Sequence, residues 1–262
     1  MAEQKKPTVT QAAGYAEAKA AAQANQSAMS GSATGLRVGA IVLWVAAILF
    51  EILAVLILFG KINITFMPTL AVLIILIVLD LACVIIGSQL WKKANHIRPA
   101  SEKNQLAFWL WNNMGVIVAC FAFVPLIILM LANKNLDKKT KTVALIAAII
   151  ALLIGGAASV DYNPVSQEQQ AAAMSSLGAM DVYWSPFGKV YHTHVTLEGG
   201  DVQETCPHLN RSENLTVGTV EQAIAAGRTR LCSWCAAHDG IDTEGVATDN
   251  ASTEGEAVEL SD

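Results

Sequence analysis

RVGAIVLWVAAILFEILAVLILF, residues 37–59, carries two charged residues, Arg37 at its start and Glu51 past its middle, and has no polar face at helical spacing. A helix that is apolar all round belongs inside a large protein or in lipid. About 20 apolar residues suffice to cross the hydrocarbon layer. Three more such runs follow, at residues 66–90, 113–132 and 143–160, which accounts for a chain that is 53% hydrophobic and only 15% charged. Four runs of this kind leave no polar face to meet water. In hydrocarbon each backbone N–H and C=O must be paired within its own segment, so all four are predicted to be helices.

The connections are short: GKINIT, WKKANHIRPASEKNQLAFWLWNN and NKNLDKKTKT. They predict two antiparallel hairpins packed as an all-α membrane four-helix bundle over residues 36–160. Trp44, Trp91, Trp109 and Trp111 lie near the ends of runs, as interfacial belts would place them. Pro68 falls in a first helical turn, and Pro125 lies mid-span, where it should kink its helix. Four spans put both chain ends on one side. Lys and Arg divide almost evenly between the sides, and the reading adopted is that both termini are cytoplasmic.

Two acids lie within the runs. Counting back from GKINIT at the helical rise puts Glu51 about 13 Å and Asp80 about 22 Å deep. An intramembrane carboxylate is costly unless neutralised or paired, so both should face the bundle interior. They serve either as hydrogen-bonded structural acids or as a proton or cation relay.

Outward from the runs, residues 1–35 read as a polar, Ala-rich disordered tail without the pattern of a secretory signal. Residues 161–180 read as a linker. Residues 239–262 hold eight acidic residues and no Lys or Arg, a composition that solvates itself and stays disordered. The net charge of −5 comes mainly from this tail. No basic field favours nucleic acid.

Residues 181–238 form a small C-terminal module. DVYWSPFGKVYHTHV reads as a β-hairpin turned by SPFG. Thr219 and Gln222 make a capping box for a short helix that Gly227 ends. Fewer than sixty residues with few aliphatic groups need a metal or disulfides to hold them. Of five cysteines, Cys83 and Cys120 lie in apolar runs as small hydrophobes. Cys232-Ser-Trp-Cys235 places two sulfurs on one tight turn, suited to two corners of a zinc tetrahedron, and Cys206 with one histidine can close it. His192, His194, His208 and His238 are the candidates. A disulfide between Cys232 and Cys235, or reactive redox thiols that make the module a membrane-anchored sensor, are the alternatives.

VYWSPFGKVYH, CPHLNRS and GTVEQAIAAGRTRLCSWC together resemble the small bacterial zinc-binding module of Ada-type DNA repair proteins. Such modules are found on bacterial multi-pass membrane proteins, which the whole chain resembles, and on some secreted nucleases. The resemblance implies structural zinc held by His192, Cys206, Cys232 and Cys235. The thirteen residues between His192 and Cys206 exceed the usual spacing, read as an extended hairpin with Gly199 and Gly200 at its tip, and make His194 the substitute. A sacrificial methyl-accepting thiolate would need a DNA-binding surface, for which Arg211, Arg228 and Arg230 are thin. A metal with four protein ligands has no open position to activate water. No phosphate loop, HExxH or nucleophile elbow is present. The expectation is a non-enzymatic membrane protein, with lipid as partner, a zinc cofactor, and a protein or small-molecule partner left open. A small ion-coupled bundle using Glu51 and Asp80 is the alternative.

Overall fold

The computed structural model describes residues 7–23, 30–134, 136–195, 205–209 and 212–249. In chain order, β1 (Thr8–Gln11) and α1 (Tyr15–Gln23) precede the long helices α2 (Ser30–Leu58) and α3 (Thr69–Ile97). A short α4 (Gln105–Asn112) leads into α5 (Met114–Ala132) and α6 (Lys138–Ser159). Then come α7 (Gln167–Leu177), β2 (Val182–Trp184), β3 (Val190–Tyr191), β4 (Asn214–Gly218), α8 (Val220–Ala225), β5 (Arg230–Leu231) and α9 (Ser233–His238). The chain divides into two units, one holding residues 34–94 and 104–162, the other residues 1–33, 95–103 and 163–262.

In the first unit α2, α3, α5 and α6 are each long and apolar enough to cross a membrane. Their outward residues, among them Val42, Leu49, Phe121 and Leu153, are exposed hydrophobics. Inside, α5 and α6 bury small residues at helical spacing: Gly115, Ala119 and Ala122 on one, Ala144, Ala148, Ala151 and Gly155 on the other. Small side chains let backbones approach, which is how helices associate without a hydrophobic driving force. A Cβ on Gly115 would lie 2.2 Å from Ser88 Oγ, and one on Gly155 would lie 3.1 Å from a Leu81 methyl. Helix α5 continues through Pro125 as one helix.

Helix ends leave carbonyls unpaired, and long polar side chains fill them. Lys92 Nζ donates to the Ala158 carbonyl (2.8 Å) and Gln89 Nε2 to the same oxygen (3.0 Å) at the end of α6. Lys141 Nζ donates to Leu131 and Asn133, both at 2.8 Å, at the end of α5. Two of the four tryptophans depart from the belt expectation, while Trp109 and Trp111 are exposed. Trp44 and Trp91 are buried, with ring centroids 5.2 Å apart, and Trp111 lies 5.1 Å from Trp91 with the Arg37 guanidinium 5.4 Å above its ring. Gly87 makes the room, since a Cβ there would meet Trp44 Nε1 at 2.6 Å.

The second unit corrects three expectations. Residues 1–35 are not all tail: β1 pairs in parallel with β4, and β2 pairs with β4 on its other edge. Tyr15 and Lys19 of α1 hydrogen-bond Asp181 at 2.6 and 2.8 Å, and Gln222 Nε2 donates to the Ala13 carbonyl at 2.9 Å. These links across more than 160 residues were invisible to local composition. Residues 161–180 are not all linker, because Ser166 and Gln169 form a capping box that starts α7. That Ser-x-x-Gln signal was present in the sequence. Ala173 and Leu177 of α7 pack with Val182, Trp184, Val220 and Ile224. Residues 239–249 of the acidic tail are part of the unit: Asp249 accepts from the Ser233 N–H at 2.7 Å and the Leu231 N–H donates to Ala247 at 2.8 Å. Its residues 250–262 lie outside the described residues, as does most of the extended hairpin expected around Gly199 and Gly200. Tyr183 and His192 exchange backbone hydrogen bonds of 2.7 and 2.8 Å around SPFG, while β3 takes β5 as its parallel partner.

Candidate metal centre

Tertiary structure brings Cys206, Cys232 and Cys235 to one point. Parallel pairing of Tyr191 with Leu231 sets the strand that carries His192 beside the approach to α9, and the Cys232 N–H donates to the Tyr191 carbonyl at 2.9 Å. Cys232 is the N-cap of α9 and Cys235 lies in its first turn. Cys206 arrives from the other side, its N–H on the His194 carbonyl at 3.1 Å, at the start of a 3-10 turn over Pro207–Leu209.

His192, Cys206, Cys232 and Cys235 are all buried, and one potential ligand atom from each lies within 4.8 Å of every other. Cys206 Sγ lies 3.8 Å from Cys232 Sγ, and Cys235 Sγ lies 3.7 Å from His192 Nδ1. These four residues could hold a metal ion. His192, rather than His194, shares the cluster with the cysteines.

Backbone N–H groups surround the sulfurs: that of His208 is aimed at Cys206, that of Cys235 at Cys232, and those of His194 and Thr193 at Cys235. Such donors orient and stabilise thiolates. Burial pushes the Cys206 thiol up to about 11. The hydrogen bond with Cys235 and then burial raise Cys232, while the same bond from Cys232 holds Cys235 below its ordinary value. His208 Nδ1 lies 3.2 Å from Cys232 Sγ, outside the set of four.

Beside this centre, His194 Nδ1 and His238 Nδ1 face one oxygen of Asp239 at 3.0 and 2.9 Å. Sequence reasoning weighed both histidines for the cysteine site and passed over Asp239, which it assigned to the tail. Arg228 donates to the carbonyls of Ser185, Pro186 and Ala226, so its guanidinium is engaged in pinning the SPFG turn. Arg211 lies outside the described residues.

In the helical unit Asp80 is 1% exposed, and neither carboxyl oxygen has a hydrogen-bond partner among the described residues. Glu51 is also buried. Compared with known families, curated proteins and solved structures, the chain matches none.

Proposed function

We propose that the chain is an integral membrane protein of a bacterial plasma membrane that tethers a zinc-stabilised module of the Ada-like type, which binds or senses a partner on the cytoplasmic side. The observation that carries the zinc reading is the spacing of the donors. Tetrahedral zinc with Zn–S near 2.3 Å and Zn–N near 2.0–2.1 Å requires S···S edges of about 3.8 Å and S···N edges of about 3.6 Å. One S···S edge, Cys206 to Cys232, is 3.8 Å, one S···N edge, Cys235 to His192, is 3.7 Å, and all four donors lie within 4.8 Å of one another. Cys206, Cys232, Cys235 and His192 would hold the ion, and zinc would supply folding energy that so small a module lacks. Four protein ligands fill the coordination shell, so the role assigned is structural and the protein is read as a non-enzyme.

The test is elemental analysis of the full-length chain purified in detergent under reducing conditions. The reading expects one thiolate-bound zinc per chain, lost in Cys206→Ser and Cys232→Ser. Absence of zinc, with a mass that reveals a bond between Cys232 and Cys235, would sink it.

Asp80 favours a second reading, in which the bundle holds a transferable proton. A buried carboxyl with neither oxygen partnered carries a large desolvation cost, and intramembrane acids of this kind mark proton or ion paths. Proton flux into liposomes should fall in Asp80→Asn and Glu51→Gln if the reading holds; flux equal to that of empty liposomes would dismiss it.

A further inference from the structure

His194, His238 and Asp239 form a cluster with no sulfur in it. One carboxylate oxygen, Asp239 Oδ1, stands 3.0 Å from His194 Nδ1 and 2.9 Å from His238 Nδ1. The Thr193 hydroxyl donates to Oδ2 at 2.5 Å, which fixes the carboxylate and leaves Oδ1 to the rings. Trp234 stacks on His238 at 4.7 Å and meets His194 edge-on at 5.8 Å, and the two imidazoles are 4.2 Å apart. Both rings are therefore held in place before any ligand arrives. His194 is 8% exposed, and its Nε2 is buried with no partner among the described residues, so the protein does not meet this ring's full bonding capacity.

We propose that His194, His238 and Asp239 are a second metal site, one that takes a first-row divalent ion such as zinc, cobalt or nickel. Two imidazole nitrogens and a carboxylate oxygen, all within 4.8 Å of one another, are the donors such ions accept, whereas calcium and magnesium prefer oxygen alone. Three protein ligands leave a position open, unlike a closed structural site. The His238 side chain is 42% exposed, so ions exchange with solvent, and water or an incoming donor can reach the open position. The two centres share no ligand. They share their frame: Thr193 and His194 aim backbone N–H groups at Cys235, and the Asp239 N–H donates to the Cys235 carbonyl at 2.9 Å. The inference goes beyond the zinc reading and does not need the buried centre to hold zinc.

The experiment is a cobalt titration of the full-length chain in detergent, purified without a histidine tag. Thiolate-to-cobalt charge transfer reports the cysteine centre, while a nitrogen and oxygen site binds cobalt without adding to that band. The wild-type chain should bind two ions. His238→Ala and Asp239→Asn should each bind one, with the thiolate band unchanged; His238 is exposed enough that its truncation leaves the fold standing. One ion that lacks the thiolate band and disappears in both variants would support the second site and refute the cysteine one. Only one ion in the wild type, carrying the band, would overturn the proposal, as would a second ion retained in both variants. Loss of the band in both variants would also overturn it by assigning these residues to the buried centre.

Discussion

At the scale of single residues, the zinc reading makes the cysteine centre a competition between protons and metal. A thiol binds metal as thiolate, so each ligand protonated in the metal-free form must release its proton on binding. Cys206, pushed up to about 11 by burial, is protonated at neutral pH, and Cys232 is raised as well. Lower pH therefore favours the metal-free form. Zinc affinity, measured by competition with a chelator of known pH dependence, should fall by about tenfold per pH unit for each of these thiols on going from pH 8 to 6. A flat profile would mean that the thiols are not ligands. His208 supplies a finer test. With its Nδ1 3.2 Å from Cys232 Sγ, the ring as N–H donor stabilises the thiolate from outside the coordination shell. Loss of such a partner typically costs 10–100-fold in affinity. His208→Ala should weaken zinc by about that factor while one ion per chain still binds at saturation, and abolition of binding would make His208 a ligand.

At the scale of elements, what was legible in the sequence is what local rules determine. The four apolar runs were legible because each is long and apolar all round at helical spacing, and the start of α8 because Thr219 and Gln222 satisfy each other's backbone N–H groups, at 3.3 and 3.1 Å. Helix α7 has the same signature at Ser166 and Gln169 but lies in a stretch whose polarity suggested a linker. Strand β1 is four residues long, and nothing near it in sequence discloses that its partner is β4. The cysteines were legible by spacing, whereas the choice between His192 and His194 required the strand pairing that turns one toward the sulfurs and the other toward Asp239. Gln222 joins these levels, because it caps α8 and donates to the Ala13 carbonyl of the N-terminal arm. Thr219→Ala, which removes only the cap, should cost about 1–2 kcal/mol of module stability, read as faster amide exchange in α8. Gln222→Ala should add faster exchange at residues 8–11. Equal exchange of β1 in the two variants would show that the arm does not depend on this side chain.

At the scale of the whole molecule, membership of the second unit constrains the topology more firmly than charge does. That unit is assembled from residues 1–33, 95–103 and 163–262. A chain crossing a bilayer four times places its first segment, the loop between its second and third spans, and its last segment on one side. These are the same three segments, and the pairing of β1 with β4 could not form if the ends lay on opposite faces. On the four-span reading, Lys61, in one remaining connection, and Lys138, at the start of α6, are expected on the other side. Cysteines introduced at the exposed positions Glu102, Lys61 and Lys138 test this with a membrane-impermeant maleimide applied to vesicles of known orientation. Glu102→Cys should react from the cytoplasmic face, and Lys61→Cys and Lys138→Cys from the opposite one. Reaction of Glu102→Cys and Lys61→Cys from one face would break the four-span topology. Correct alternation with the sides exchanged would keep the topology but move the module to an oxidising compartment, where disulfide formation competes with zinc for Cys232 and Cys235. The labelling pattern thus decides, together with the connectivity, whether the thiols of the cysteine centre are kept in the state a metal needs.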